Sequence, residues 1–255
     1  MKTLNYTWTE WVAAATHSAK NWESNKDKIF GDSKVKLVDK DKKPWTGVRD
    51  WNTAVKIATE GYIPEGGFNS DIDNLAESEN ISALLDVSGS VVDVGLFLTG
   101  EPECMWEFQQ APSTKFIDLV INLANSGGVS ADDLFEYAAK VYSLLIRLKQ
   151  KNIEANVIGV IQTTMGSGYR INIDIHKQGQ VFSPATLSAA LHPMNLRRLY
   201  IGFTEGCDDY TSGSGRPQTP SVEEGQILLP SVEEIGSVDK IEEQILSALN
   251  SSIPA

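Results

Sequence analysis

Between residues 116 and 123 the chain is largely apolar, broken only by Asp118 and Asn122, over a length that suits a mostly buried strand. Asn125-Ser126-Gly127-Gly128 ends the run, and Ser130 is placed to cap a helix whose first turn carries Asp132 and Asp133. Apolar residues then recur at Leu134, Tyr137, Ala138, Val141, Leu144, Leu145 and Leu148, the spacing of one buried helical face. Lys149 and Lys151 close this helix, as its dipole favours, and 153–161 reads as a second strand. The pattern predicts a βαβ unit over 115–161, with a loop at the carboxyl end of its first strand.

Upstream, residues 1–24 read as one amphipathic helix. Thr7 and Glu10 have capping-box spacing, and Trp8, Trp11, Val12, Ala15, Ala19 and Trp22 share a face. Residues 25–43 are rich in lysine and aspartate, and only 35–38 is strand-like. Asp50 is a natural N-cap for a short helix with Trp51, Ala54, Val55 and Ala58 inward, and Gly61 suits a left-handed C-terminal position. Phe68, Ile72 and Leu75 suggest another helix over 68–80. A strand is expected over 82–87, and a short one around Cys104, Trp106 and Phe108.

Downstream, 169–177 alternates cleanly. Ile171, Ile173 and Ile175 point one way, and Arg170, Asn172, Asp174 and His176 the other. One wet face predicts a strand near a sheet edge, in a hairpin with 153–161. Pro184 after Ser183 opens a short helix over 184–191, and 197–204 reads as a further buried strand closing at Glu205-Gly206. Residues 207–235 are rich in Ser, Gly, Pro and Glu and read as an extended mobile loop. Pro-Ser-Val-Glu-Glu occurs twice there, too little to build a repeat architecture. A final helix carries Val238, Ile241, Ile245 and Leu249 on its apolar side. The expected organisation is a helical N-terminal region over 1–80, an α/β core over 81–206, the loop over 207–235 and a C-terminal helix over 236–255.

Composition narrows the function. A net charge of −12 and a pI near 4.7 exclude broad nucleic-acid binding, since no large basic surface is available to replace phosphate counterions. No apolar run reaches bilayer-spanning length and no secretory leader is evident, so no membrane association is expected and a cytoplasmic location is. Cys104 and Cys207 have neither metal nor redox spacing. His17, His176 and His192 show no paired zinc spacing, and no P-loop, Gly-x-Ser-x-Gly elbow or dinucleotide glycine motif follows a strand. Asp174 and His176 share a strand face, which an exposed polar surface explains more simply than an acid–base pair. Open α/β sheets take ligands at strand carboxyl ends, which singles out Asn122, Asn125, Ser126, Thr204 and Glu205 as candidate ligand-binding residues.

Taken together, 115–206 resembles a von Willebrand factor type A domain, a doubly wound, Rossmann-like α/β fold. In that family the first strand ends Asp-x-Ser-x-Ser and a later strand ends Thr-Asp-Gly; here they read Asn122-Leu-Ala124-Asn-Ser126 and Thr204-Glu-Gly206. The resemblance implies a metal-ion-dependent adhesion site for Mg²⁺ and a carboxylate from a partner. Ser126 keeps a hydroxyl and Glu205 a carboxylate. Asn122 and Ala124 replace an Asp and a Ser, which weakens a site for a cation that wants charged hard oxygen ligands. A literal Asp-x-Ser-x-Ser also occurs at Asp86, Ser88 and Ser90, a candidate metal loop or simply a turn whose serines bond the backbone. The front half, with Trp45-x-Gly, Asp50-Trp51, Gly61-Tyr62, Glu65-Gly66 and Gly100-Glu-Pro-Glu-Cys-Met105, resembles proteins carried by bacteriophages.

The expectation is a non-enzymatic protein-binding or structural module, metal-independent, with a protein partner. The alternatives are a divalent-metal-dependent binder or hydrolase using Mg²⁺ and a virion assembly subunit.

Overall fold

A computed structural model describes residues 2–21, 46–63, 83–86, 91–92, 94–108, 115–164, 169–180, 183–208, 216–236 and 238–251. Among these, the protein is a mixed α/β structure with seven helices and a five-stranded mixed sheet. The expected helix over 68–80, the strand-like 35–38, Trp22, Ser88 and Ser90 lie outside the described residues.

The chain opens with β1 (Lys2–Thr7) and turns directly into α1 (Trp8–Ala19). The single helix expected over 1–24 is therefore a strand and a helix. The reason is local: Thr7 is an extended N-cap, its hydroxyl accepting from the Glu10 amide while the Glu10 carboxylate accepts from the Thr7 amide. That capping box starts the helix at Trp8 and leaves the preceding residues free to pair. α2 (Trp51–Glu60) follows, with the Asp50 carboxylate accepting from the Thr53 amide. Gly61 ends it at φ +86° and ψ 175°, an extended positive-φ conformation open essentially to glycine alone, rather than the left-handed turn expected.

A small antiparallel sheet comes next. Strands β2 (Ala83–Asp86) and β3 (Val91–Val92) both pair with β4 (Met105–Phe108), and α3 (Val94–Thr99) lies between β3 and β4 in sequence.

The central unit matches its pattern. β5 (Lys115–Asn122), α4 (Ala131–Gln150) and β6 (Ile153–Gln162) form a parallel crossover, and all seven predicted inward residues of α4 are buried. β7 (Tyr169–His176) runs antiparallel to β6, as expected, with a bulge at Val157/Ile158. β1 then pairs in parallel with β7 and takes the sheet edge. On the other side β8 (Gln226–Leu228), from within 207–235, pairs in parallel with β5, so the order is β1-β7-β6-β5-β8.

Helix α5 (Pro184–Leu191) starts at Pro184 under the Ser183 cap. The stretch expected as a buried strand over 197–204 is instead helix α6, a π-helical segment Asn195–Tyr200 that continues as α-helix Ile201–Glu205. Every residue of α6 but Leu196 is buried, Asn195, Arg197, Arg198, Thr204 and Glu205 included, so no exposed polar face marks the helical period. α7 (Val238–Ser251) docks on α4 through Ile241 and Ile245, with Glu242 between Arg147 and Lys151 and Asp239 on Arg147.

One face of the main sheet, carrying Ile117, Leu119, Ile121, Ala155, Val157, Ile161, Ile171 and Ile173, joins a single core with the helices. The opposite face is half-exposed and polar along β7. Residues 216–222 lie against it. The Gln218 amide donates to the Gln162 carbonyl, and the Arg170 guanidinium bonds both the hydroxyl and the carbonyl of Ser221.

The end of α6 meets the end of α1 at Gly206, where a Cβ would lie 1.8 Å from the Ser18 carbonyl oxygen. That oxygen is backbone and has nowhere to move. Gly206→Ala is expected to cost about 1–3 kcal/mol or more, read as a lowered melting temperature, while Gly236→Ala, which meets nothing within 4 Å, leaves it unchanged.

Candidate functional site

The polar residues singled out at the end of β5 do come together. The Asn122 carboxamide oxygen accepts from the Ala124 amide at 3.0 Å, and its nitrogen donates to the Gln218 carbonyl at 3.3 Å. Asn125 donates to the Leu123 carbonyl, and the Ser126 hydroxyl accepts from the Gly128 amide, both at 3.3 Å. Ser130 and Asp133 close the loop with a reciprocal capping box, whose hydrogen bonds from Ser130 hold the Asp133 carboxyl below its ordinary range. These side chains shape the loop. They satisfy backbone groups that would otherwise lack partners at a strand end and a helix start.

Thr204 and Glu205 are elsewhere. Both are buried in the last turn of α6, which packs on α1, and the Thr204 hydroxyl donates back to the Ile201 carbonyl at 2.9 Å. Their selection depended on a strand at 197–204 delivering them to a sheet end, and the helix removes that premise.

The residue that organises this region was not among the candidates. Arg197 is buried, and its guanidinium donates to the Val129 carbonyl at 2.6 Å and the Ser126 carbonyl at 3.3 Å. Burial lowers its pKa from the ordinary value. The signal available in the sequence was two adjacent arginines inside an apolar run, since a buried charge must be bonded. Beside Arg197 a void of about 10 Å³, room for roughly one water, is lined by Leu123, Asn125, Leu134, His192 and Leu196.

His192 borders the same void. Its Nδ1 accepts from the Met194 amide at 3.1 Å, and the rings of Tyr62 and Phe135 stand 4.7 and 5.2 Å away. Burial pushes its pKa down to about 4, so the ring is neutral near pH 7. Gly47, at φ +72°, lets the chain pass against the ring, where a Cβ would come within 2.8 Å of Cε1.

A groove of about 260 Å³ opens on the outer side of the loop, between Gly128, Val129, Asp133 and Tyr137 and the chain at Val232 and Glu233. The Tyr137 hydroxyl donates to the Pro230 carbonyl and ties the two walls together. On the open sheet face, Asp174 pairs with Lys177 at 2.8 Å, and the half-buried His176 has its pKa lowered chiefly by desolvation.

The donors required for Mg²⁺ do not fit the β5 end. The Asn122 oxygen and the Ser126 hydroxyl accept from backbone amides, and Glu205 belongs to a different helix turn. Asp86 closes β2 opposite Met105 in the small sheet. Among the described residues no three His, Cys, Asp or Glu side chains are grouped to hold a metal. Cys104 and Cys207 form no disulfide, and no described helix is long and apolar enough to cross a membrane.

A family model described as Domain of unknown function (DUF7192) matches residues 6–252. No curated protein and no solved structure matches the chain.

Two outcomes follow from this geometry. The unfolded chain takes up a proton at His192 near pH 6.5, while the folded chain resists until about pH 4. Stability from this residue is complete above pH 6.5 and declines as pH falls towards 4, by about 3 kcal/mol in all. Urea melts above and below that window are expected to show a steeper loss for the wild type than for His192→Asn. Titration with Mg²⁺ or Mn²⁺ is expected to leave the melting temperature unmoved. A rise abolished by Asp86→Ala would assign a metal to the front motif.

Proposed function

The chain belongs to the family of that description across nearly its whole length, and from that premise we propose that it is a non-enzymatic protein-binding or structural module. The observation carrying this reading is the outer side of α3. Val94, Phe97 and Leu98 are 64%, 63% and 77% exposed, with Val92 of β3 also exposed. Large apolar side chains clustered at a surface cost solvation and mark protein contact sites more often than chance.

The polar residues at the end of β5 support the same reading from the other direction. Their hydrogen bonds go to the protein's own backbone, within the loop and at Gln218, which supports a module that works without metal and takes its partner elsewhere. The finer fold assignment is a core of the von Willebrand A type, supported by the parallel β5–α4–β6 crossover with its long helix. With the front-half resemblance, the same reading extends to a product of a phage or mobile element that acts in the cytoplasm of the host cell.

The test is affinity capture with the wild type and with Phe97→Asp combined with Leu98→Asp. These positions are exposed, so the variant is expected to keep its stability within about 0.5 kcal/mol. Proteins held by the wild type and lost by the folded variant support the reading. An identical set from both removes α3 as the partner surface.

A further inference from the structure

β1 is an edge strand without the usual protection. It pairs with β7 along one side over all six residues, and among the described residues no strand lies on its other side. Among the described residues its remaining hydrogen bonds are the α1 capping box and one from the Asn172 side-chain nitrogen to the Asn5 side-chain oxygen. Edge strands are ordinarily blunted by proline, by a bulge, by outward charges or by being very short, because their free amides and carbonyls template further pairing. Between Lys2 and Thr7 there is no proline, no glycine and no acidic residue. The only charge is Lys2, and its ammonium lies over the Tyr169 ring, 5.5 Å from the centroid, on the neighbouring strand. No register shift interrupts the β1–β7 ladder.

The strand is also complementary to itself. Leu4 and Tyr6 are half-buried against the core, while Thr3, Asn5 and Thr7 are exposed. Opposed residues in an antiparallel pair share a face, so a two-fold axis must pass through a residue if both helical layers are to lie on one side of the joined sheet. Centred on Asn5, the axis sets Leu4 across from the partner's Tyr6, Thr3 across from the partner's Thr7, and Asn5 across from its own copy. Aliphatic–aromatic and Thr–Thr pairs are favourable cross-strand combinations, and nothing of like charge is opposed. Centring on Leu4 would put Lys2 opposite Tyr6 and draw it off the Tyr169 ring.

We propose that β1 is the seam of a homodimer, in which two copies pair edge to edge and antiparallel about a two-fold axis at Asn5, joining two five-stranded sheets into one. The interface is isologous and closes after two copies, which consumes both free edges. It is separate from α3 and does not depend on that surface.

The experiment is sedimentation velocity on the full chain over a wide concentration range, with Asn5→Lys, Asn5→Asp and their equimolar mixture. Asn5 is exposed, and its one cross-strand side-chain bond is to Asn172, so each variant is first checked for a melting temperature close to wild type. The wild type is expected to dimerise. Each variant alone places two like charges directly opposite and is expected to weaken association roughly tenfold or more. The mixture, which opposes a lysine to an aspartate, is expected to recover the dimer. A wild type monomeric throughout, variants that dimerise like the wild type, or a folded mixture that stays monomeric each overturns the proposal. The Phe97→Asp, Leu98→Asp variant should dimerise normally, which keeps failure of the α3 reading distinct from failure of this one.

Discussion

The fold turns on a guanidinium shut away from water. A buried charge is tolerated only where its N–H groups meet acceptors, because desolvation alone costs several kcal/mol. Arg197 finds those acceptors in the carbonyls of Ser126 and Val129, in the turn just before α4. That bond holds the turn from which the Ser130–Asp133 capping box starts α4, and α4 in turn spans the crossover that sets β5 beside β6. The next residue, Arg198, is equally buried and lies close enough to the α2 cap to help hold the Asp50 carboxyl low, after the larger effect of the Thr53 amide. The π-helical turn of Asn195–Tyr200 carries both arginines. Asn195 in the same turn accepts from the Trp11 indole at 2.8 Å and donates to the Ala190 carbonyl at 2.8 Å. One short helix thus holds α1, α2, α4 and α5 in register.

The same economy explains the end of β5. Strand ends and helix starts both leave backbone amides without partners, and small polar side chains are the cheapest local remedy. Asn122, Asn125, Ser126 and Ser130 each bond a backbone group within a few residues. A run of Asn, Ser and Gly at a strand's carboxyl end therefore resembles a ligand loop and a structural loop equally. The side-chain contacts decide between them, and here they point inward.

What could be read from the sequence was local. Capping residues at Thr7, Asp50, Ser130 and Ser183, the inward stripe of α4 and the alternation of β7 all follow from interactions within a few residues, and all hold. What could not be read depended on distant partners. β1 is half-exposed and mostly polar, and becomes a strand only because β7 is there to pair with. β8 is three residues that lie along β5. α6 hid because a helix buried on nearly every side has no amphipathic period, and its loss as a strand took Thr204 and Glu205 out of the candidate site. Asn122, Asn125 and Ser126 were located correctly at a strand end, because that placement needed only the βαβ pattern.

The pairing of β1 with β7 bears on the order in which the molecule is made. Asn5 and Asn172 are hydrogen-bonded neighbours 167 residues apart in sequence. During synthesis β1 leaves the ribosome long before β7, with which it pairs, whereas β5, α4 and β6 form a contiguous block that can assemble as it emerges. The N-terminal strand must wait, with α1 unable to settle on α6 until that helix too has appeared. Long-range closure of this kind comes late and slowly, so β1 is added to a sheet whose β5–β6 centre is already in place.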